Sequence, residues 1–273
     1  MRVAIQPVSF FSGALFARKT CYVYLPPSYG DSEDRRYPVV YLLHGLHGGE
    51  TDWVLRGNAE ATFDRMIAQG DIRECIAVMP NDGGYGLGTF YLDWYDGTGN
   101  FGQYITDDLV PFIDASFRTV ADSGGRFVGG FSMGGIGAFL LALRNPHLFG
   151  AAASISGALI SVSNIPYKEF SRMEWARMIG PRNGGHAKRH DIALLAAERK
   201  QEGNMPDLYF NCGTEDDLFE VNTLYKQHLE KIGYPHHFVA LPGEHKWEFC
   251  AERLPEVLIH WERLLRERDA AVR

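Results

Sequence analysis

The chain has 273 residues, long enough for one large α/β unit with a substantial buried core. Hydrophobic residues make up 45% and charged residues 22%, a balance that argues against disorder. A formal charge of −7 gives no electrostatic basis for nucleic acid or an anionic membrane as a partner, and no apolar run of about 18 residues marks a membrane helix.

In chain order, Met1-Arg2-Val3-Ala4-Ile5 lacks the basic-then-apolar layout of a secretion signal, so none is expected. Runs at 2–10 and 17–25 read as strands joined by a Ser12-Gly13 turn, an antiparallel edge. Pro26-Pro27 and the charged stretch 31–36 mark an exposed loop. Val39-Val40-Tyr41-Leu42-Leu43 is an uninterrupted apolar run, the pattern of a strand buried on both faces. Similar runs follow at 75–79, 126–129, 151–155, 208–212 and 237–241. Between them lie helical patterns at 59–68, 104–116, 134–144, 218–231 and 247–266. The alternation predicts an α/β fold, a mostly parallel sheet covered by helices on both faces. One interval, 158–207, breaks the rhythm; it carries helical patterns at 168–179 and 191–202 with Gly184-Gly185 between them. Two readings stand: a cap insertion over the C-terminal strand edge, or an ordinary crossover with a surface excursion.

The four cysteines, Cys21, Cys75, Cys212 and Cys250, are far apart and form no CxxC pair. Cys75 and Cys212 lie in apolar strand-like runs and read as small buried thiols, so a reducing, cytoplasmic setting is expected.

Gly130-Phe131-Ser132-Met133-Gly134 fits G-x-S-x-G, with a strand running into it and an apolar helix running out. A serine on so tight a strand-to-helix turn projects into a site, and the helix N-terminus beneath it favours developing negative charge. In that arrangement an acid and then a histidine should follow later strands. Gly213-Thr214-Glu215-Asp216-Asp217 follows one, and Pro242-Gly243-Glu244-His245-Lys246-Trp247 the next. His245 would take the serine proton, and the acid would fix its tautomer. Spacing alone does not choose among Glu215, Asp216 and Asp217; Asp217 precedes a helix as a candidate N-cap, which favours Asp216. A tetrahedral intermediate needs two backbone N–H donors, and Leu43-His44-Gly45-Leu46 at the end of a buried strand nominates Leu46 beside Met133. His186 and His190 stand four apart, as two metal ligands on one helix face would. Their glycine and charged neighbours favour a solvated surface instead, so no metal site is expected. His236 and His237 start a strand and read as structural.

Together these residues resemble an esterase family of α/β hydrolases. It includes S-formylglutathione hydrolases, feruloyl and acetylxylan esterases, bacterial tributyrin esterases and, more distantly, mycobacterial mycolyltransferases. The resemblance runs from Val23-Tyr24-Leu25-Pro26 through Leu43-His44-Gly45, Trp53 and Val78-Met79-Pro80-Asn81 to Gly130–Gly135. It ends on Gly213-Thr214-Glu215-Asp216 and Gly243-Glu244-His245-Lys246-Trp247-Glu248-Phe249. The tributyrin-esterase branch is the most similar, and its catalytic aspartate falls on Asp216 and its histidine on His245. The thioester-cleaving branch usually carries a cysteine just after the oxyanion loop, where this chain has Leu46-His47-Gly48-Gly49. The resemblance implies a single α/β-hydrolase domain over 1–273, a small-molecule ester substrate, and neither metal nor organic cofactor; homo-oligomers are left open. Its substrate-side candidates are His44, Trp53, Tyr91, Trp94 and Trp247, with Tyr85 and Tyr95 in the same loop as Tyr91 and Trp94. The expected activity is a carboxylesterase for short acyl groups, acetyl or feruloyl esters of carbohydrates among them. The alternatives are an acyltransferase with an alcohol acceptor or a thioester hydrolase. The charged composition of 158–207 suits a small acyl group better than a lipid.

Overall fold

Apolar runs with no polar interruption have to be covered on both faces, and the central strands are. In the computed structural model, which describes residues 4–86, 88–162 and 174–271, β3 (Val39–Leu43), β4 (Ile76–Pro80), β5 (Arg126–Phe131) and β6 (Ala151–Ile155) are buried throughout. With β1 (Ile5–Ser12), β2 (Ala17–Tyr24), β7 (Asp207–Gly213) and β8 (His237–Leu241) they form one sheet in the order β1-β2-β4-β3-β5-β6-β7-β8. β1 and β2 pair antiparallel, as does β2 with β4; every pair from β4 to β8 is parallel. The expected antiparallel edge and parallel sheet are therefore both present. β8 departs from expectation: it is the sheet edge, and its residues are half-buried or exposed rather than covered on both faces.

The two-residue period of a strand divides the core. Val39, Tyr41 and Leu43 of β3 join one cluster, with Val128 and with Phe139 and Leu143 of the helix that follows β5. Val40 and Leu42 join the other, with Phe63, Met66 and Trp261. Helices among the described residues include α1 (Asp52–Leu55), α2 (Ala59–Gln69), α3 (Val110–Ser116), α4 (Met133–Arg144), α5 (Trp175–Ile179), α6 (Gly185–Arg189), α7 (Ile192–Glu202), α8 (Phe219–Ile232) and α9 (Trp247–Ala271). The predicted helix at 104–116 is not uniform: Tyr104–Leu109 forms wide π turns before α3. Pro111 offers no N–H to the Asp107 carbonyl, and widening the preceding turn relieves the clash of its ring.

The interval 158–207 holds the short helices α5 and α6 and the longer α7, which Asp191 caps through its Oδ1 to the Ala193 N–H at 2.9 Å. The first part of the helical pattern at 168–179, with Lys168, Glu169 and Arg172, lies outside the described residues. The described part of α5 is tied to the loop after β4. Tyr95 N–H donates to the Met178 carbonyl at 2.8 Å, and the Phe90 and Trp175 rings lie 4.6 Å apart. Arg177 pairs with Asp96 at 2.7 Å.

Candidate active site

Ser132 sits between β5 and α4 with φ 57° and ψ −117°, a backbone conformation that L-residues rarely adopt. The flanking glycines explain how the turn closes. A Cβ on Gly130 would lie 2.3 Å from the Gly134 carbonyl carbon, and one on Gly134 would lie 2.2 Å from the Leu43 carbonyl oxygen. Only bare backbone lets the turn fold on itself and press against the end of β3, which brings the serine beside the Gly45-Leu46 loop.

The end of β7 and the end of β8 supply the other two groups. Ser132 Oγ lies 2.8 Å from His245 Nε2, and His245 Nδ1 lies 2.8 Å from Asp216 Oδ2. A carboxylate only accepts, so the ring proton belongs on Nδ1 and the Nε2 lone pair faces the serine hydroxyl. The imidazole stacks on Phe131 at 4.9 Å, which fixes its plane. Burial by itself raises the Asp216 carboxyl, but the hydrogen bonds from His245 and from the Leu218 N–H outweigh it and hold the group below its usual range.

The structure separates the three competing acids. Asp216 is buried; Glu215 and Asp217 are exposed. Asp217 does not cap α8: the N-cap position is Leu218, with no side-chain cap, and it is Asp216 Oδ1 that accepts the Leu218 N–H at 2.7 Å. Glu215 has a role the sequence did not suggest. Its carboxylate accepts the Gly243 N–H, tying the acid loop to the histidine loop.

Met133 follows Ser132 directly, and Leu46 follows Gly45, where a Cβ would lie 3.2 Å from Ser132 Cβ. Among the described residues neither backbone N–H is taken by a protein acceptor. Tyr91 donates its hydroxyl to the His44 carbonyl at 3.2 Å and so holds the strand end that presents Leu46. Gly88 closes the other side; a Cβ there would fall 2.6 Å from both Leu46 Cδ2 and Met133 Sδ.

A cleft of about 360 Å³ opens over the serine, lined by Gly45, Leu46, Arg56, Phe131, Ser132, His245, Lys246, Trp247 and Glu248. A smaller, more enclosed recess of about 100 Å³ lies beyond Leu46, walled by Tyr85, Gly88, Phe90, Glu174 and Met178. Of the five substrate-side candidates, Trp247 lines the cleft. His44 is buried with Nδ1 2.8 Å from the Gly45 carbonyl, Trp53 packs edge-on against Trp247, and Trp94 donates its indole N–H to the Thr89 carbonyl. These three and Tyr91 stand behind the walls. The residues that sequence reasoning missed are Arg56, Phe90 and Glu174; none belongs to a motif, and only the folded loops bring them to the site. Tyr85, an aromatic of the substrate-side loop, lines the recess, as does Met178 from the helical pattern at 168–179.

One histidine pair differs from the sequence expectation, and a second grouping gathers around His237. His186 and His190 are not a solvated surface pair: His190 is buried, and its ring lies 4.3 Å from that of His186. His186 Nε2 reaches the Asp93 carbonyl at 2.8 Å, and Arg144 donates to His190 Nε2 at 3.0 Å. Burial, then the Arg144 charge, pushes the His190 imidazole down to about 4. At the β7–β8 edge of the sheet, Asp207, His237 and His260 bring one ligand atom each within 4.8 Å of one another. The Arg263 guanidinium occupies that cluster, 3.1 Å from His237 Nε2 and 3.3 Å from His260 Nδ1, so a cation is already present.

The strand order, with the serine turn after β5, defines an α/β hydrolase. The chain belongs to the family described as "Putative esterase", whose model matches residues 12–261. It is 38% identical over 161 residues to an endo-1,4-beta-xylanase/feruloyl esterase of Xylanibacter ruminicola, covering 56% of this chain and 21% of that protein. It thus spans about a fifth of that relative. It is 28% identical to an acetyl esterase of Caldicellulosiruptor saccharolyticus, covering 90% of this chain and 94% of the relative. Among solved structures, a ferulic acid esterase superposes with a TM-score of 0.79 at 24% identity, covering 95% of this chain and 98% of that one.

Proposed function

We propose that the chain is a serine carboxylesterase that works through an acyl-enzyme on Ser132. The observation that carries this reading is the unbroken run of hydrogen bonds from Ser132 Oγ through His245 to Asp216, 2.8 Å at each step. Ser132 Oγ attacks the acyl carbonyl carbon as His245 Nε2 takes its proton. The oxygen that becomes negative is met by the Leu46 and Met133 N–H groups. Collapse expels the alcohol, which takes the proton back from His245. Water, deprotonated by the same nitrogen, then attacks the acyl-serine, and collapse frees the acid as His245 returns the proton to Ser132 Oγ. Asp216 keeps the ring in the required tautomer and balances the imidazolium charge.

The acyl group enters the recess of about 100 Å³ behind Leu46. Its small size and enclosure support short acyl chains, with acetyl esters favoured over larger ones. The names of the relatives point to carbohydrates as the alcohol. We also propose one α/β-hydrolase domain over 1–273 with a cap insertion at 158–207, whose Glu174 and Met178 wall the recess. A cytoplasmic setting is supported by four cysteines that are buried and unpaired. No helix among the described residues is long and apolar enough to cross a membrane.

The test is a series of p-nitrophenyl esters. A pocket open to long chains would gain about 0.8 kcal/mol for each added methylene. The expected kcat/KM instead peaks between acetyl and butyryl and falls beyond about six carbons, because the chain meets the Phe90 and Met178 wall. A profile that rises through decanoyl overturns the short-chain assignment. Added alcohol that diverts most of the acyl group into a new ester would favour an acyltransferase.

A further inference from the structure

The recess holds one half of an ester; the wider cleft must hold the other. On that side Arg56 stands out. Its guanidinium lies over the Trp247 ring, 5.4 Å from the centroid. Its side chain is 59% exposed, and its closest carboxylate, Asp52 Oδ1, is 4.0 Å away. Asp52 is engaged elsewhere, accepting the Gly49 N–H through Oδ2. The other cation on the rim, Lys246, is neutralised by Glu244. Glu248 shares the rim, and no ion pair joins it to Arg56 among the described residues.

The indole beneath Arg56 is packed on other rings. Trp247 packs edge-on against the buried Trp53 at 5.3 Å and leans on Phe131 at 4.9 Å. Phe131 in turn stacks on the His245 imidazole at 4.9 Å. A continuous series of rings thus connects the indole beneath the guanidinium to the imidazole that returns the proton to the leaving alcohol. A planar fork of donors over an indole, with its nearest carboxylate at 4.0 Å and at the limit of an ion pair, is suited to bind a further carboxylate.

We propose that Arg56, seated on Trp247, binds a carboxylate on the alcohol half of the substrate. The preferred esters would then be short acyl esters of acidic alcohols, an acidic sugar being one such class. The proposal rests on the Ser132 reading, because that reading decides which half of the ester lies in the cleft.

The test compares two acetyl esters that differ in one charge, 4-acetoxybenzoate and its methyl ester. The readout is the ratio of their kcat/KM values in wild type, Arg56→Gln and Arg56→Lys, with active enzyme counted by fluorophosphonate titration. The ratio should fall about tenfold in Arg56→Gln, mainly through KM, and less in Arg56→Lys, which keeps the charge without the fork. Added salt should lower the ratio in wild type and leave it flat in Arg56→Gln. An Arg56→Gln ratio equal to that of wild type, with both esters turned over, overturns the role of Arg56 and leaves the Ser132 reading intact. A wild type that titrates with fluorophosphonate but turns over neither ester overturns the carboxylate-bearing substrate class. A wild type that does neither overturns the Ser132 reading itself.

Discussion

The two ends of the β7–β8 pair carry the same chemical parts and put them to different use. At the start of β7, Asp207 Oδ1 lies 2.5 Å from His260 Nε2, with His237 of β8 beside them. After the other end, Asp216 holds His245 at 2.8 Å. What differs is the partner of the second ring nitrogen. His260 Nδ1 faces the Arg263 guanidinium at 3.3 Å, a donor with no proton to give up near neutral pH. His245 Nε2 faces a serine hydroxyl on a strained turn at the mouth of a cleft. An aspartate–histidine pair by itself is a piece of structure; the atom beyond it decides whether the ring can act as a base.

Substitutions at both ends test that distinction. The largest effect belongs to Ser132→Ala, which should lower kcat by about 10⁴-fold or more while leaving the thermal midpoint within a few degrees. Asp216→Asn should cost on the order of 10³-fold in kcat, since the amide no longer selects the Nδ1–H tautomer. Retention of a tenth of the activity would remove Asp216 from the mechanism.

A third imidazole, His190, gives the pH test. Its pKa of about 4 in the fold lies below the free-histidine value, so the unfolded chain binds more protons between the two. The stability it contributes is complete above about pH 6.5 and is lost as pH falls through about 4. Over that window denaturant unfolding should show a loss on the order of 3 kcal/mol, and His190→Gln should flatten the slope. An unchanged slope in His190→Gln would assign the acid sensitivity to other groups.

Smaller still, Asp207→Asn should lower unfolding stability by about 1–2 kcal/mol and leave kcat/KM within about twofold of wild type. A large kinetic defect in that variant would erase the contrast between the two ends. Asp217→Asn, at an exposed residue that caps nothing, should change stability by no more than about 0.5 kcal/mol and leave kcat unaffected.

Much of the sheet was readable from the chain alone because it depends on local pattern. A strand covered on both faces needs an apolar run, and the turn at Ser132 needs glycines where backbone meets backbone. The order of serine, acid and histidine follows from the order of the strands. Other features depended on tertiary context. Trp53, Tyr91 and Trp94 are aromatic residues near the site, but aromaticity does not say which side of a wall a ring occupies. The short helix α6 and the burial of His190 arise from packing against Arg144 and Asp93, distant in sequence. β8 has the composition of an interior strand, yet it is the last one added and lacks an outer neighbour. Arg56 belongs to no motif; its place over Trp247 exists only once α1 and α9 meet.

The central claim is that Ser132 is the atom on which the acyl group is carried, and peptide mass mapping after treatment with a fluorophosphonate tests it most directly. A single adduct is expected on the peptide containing Ser132, formed as activity disappears and absent from Ser132→Ala. An adduct on another residue, or full esterase activity in Ser132→Ala, would contradict it.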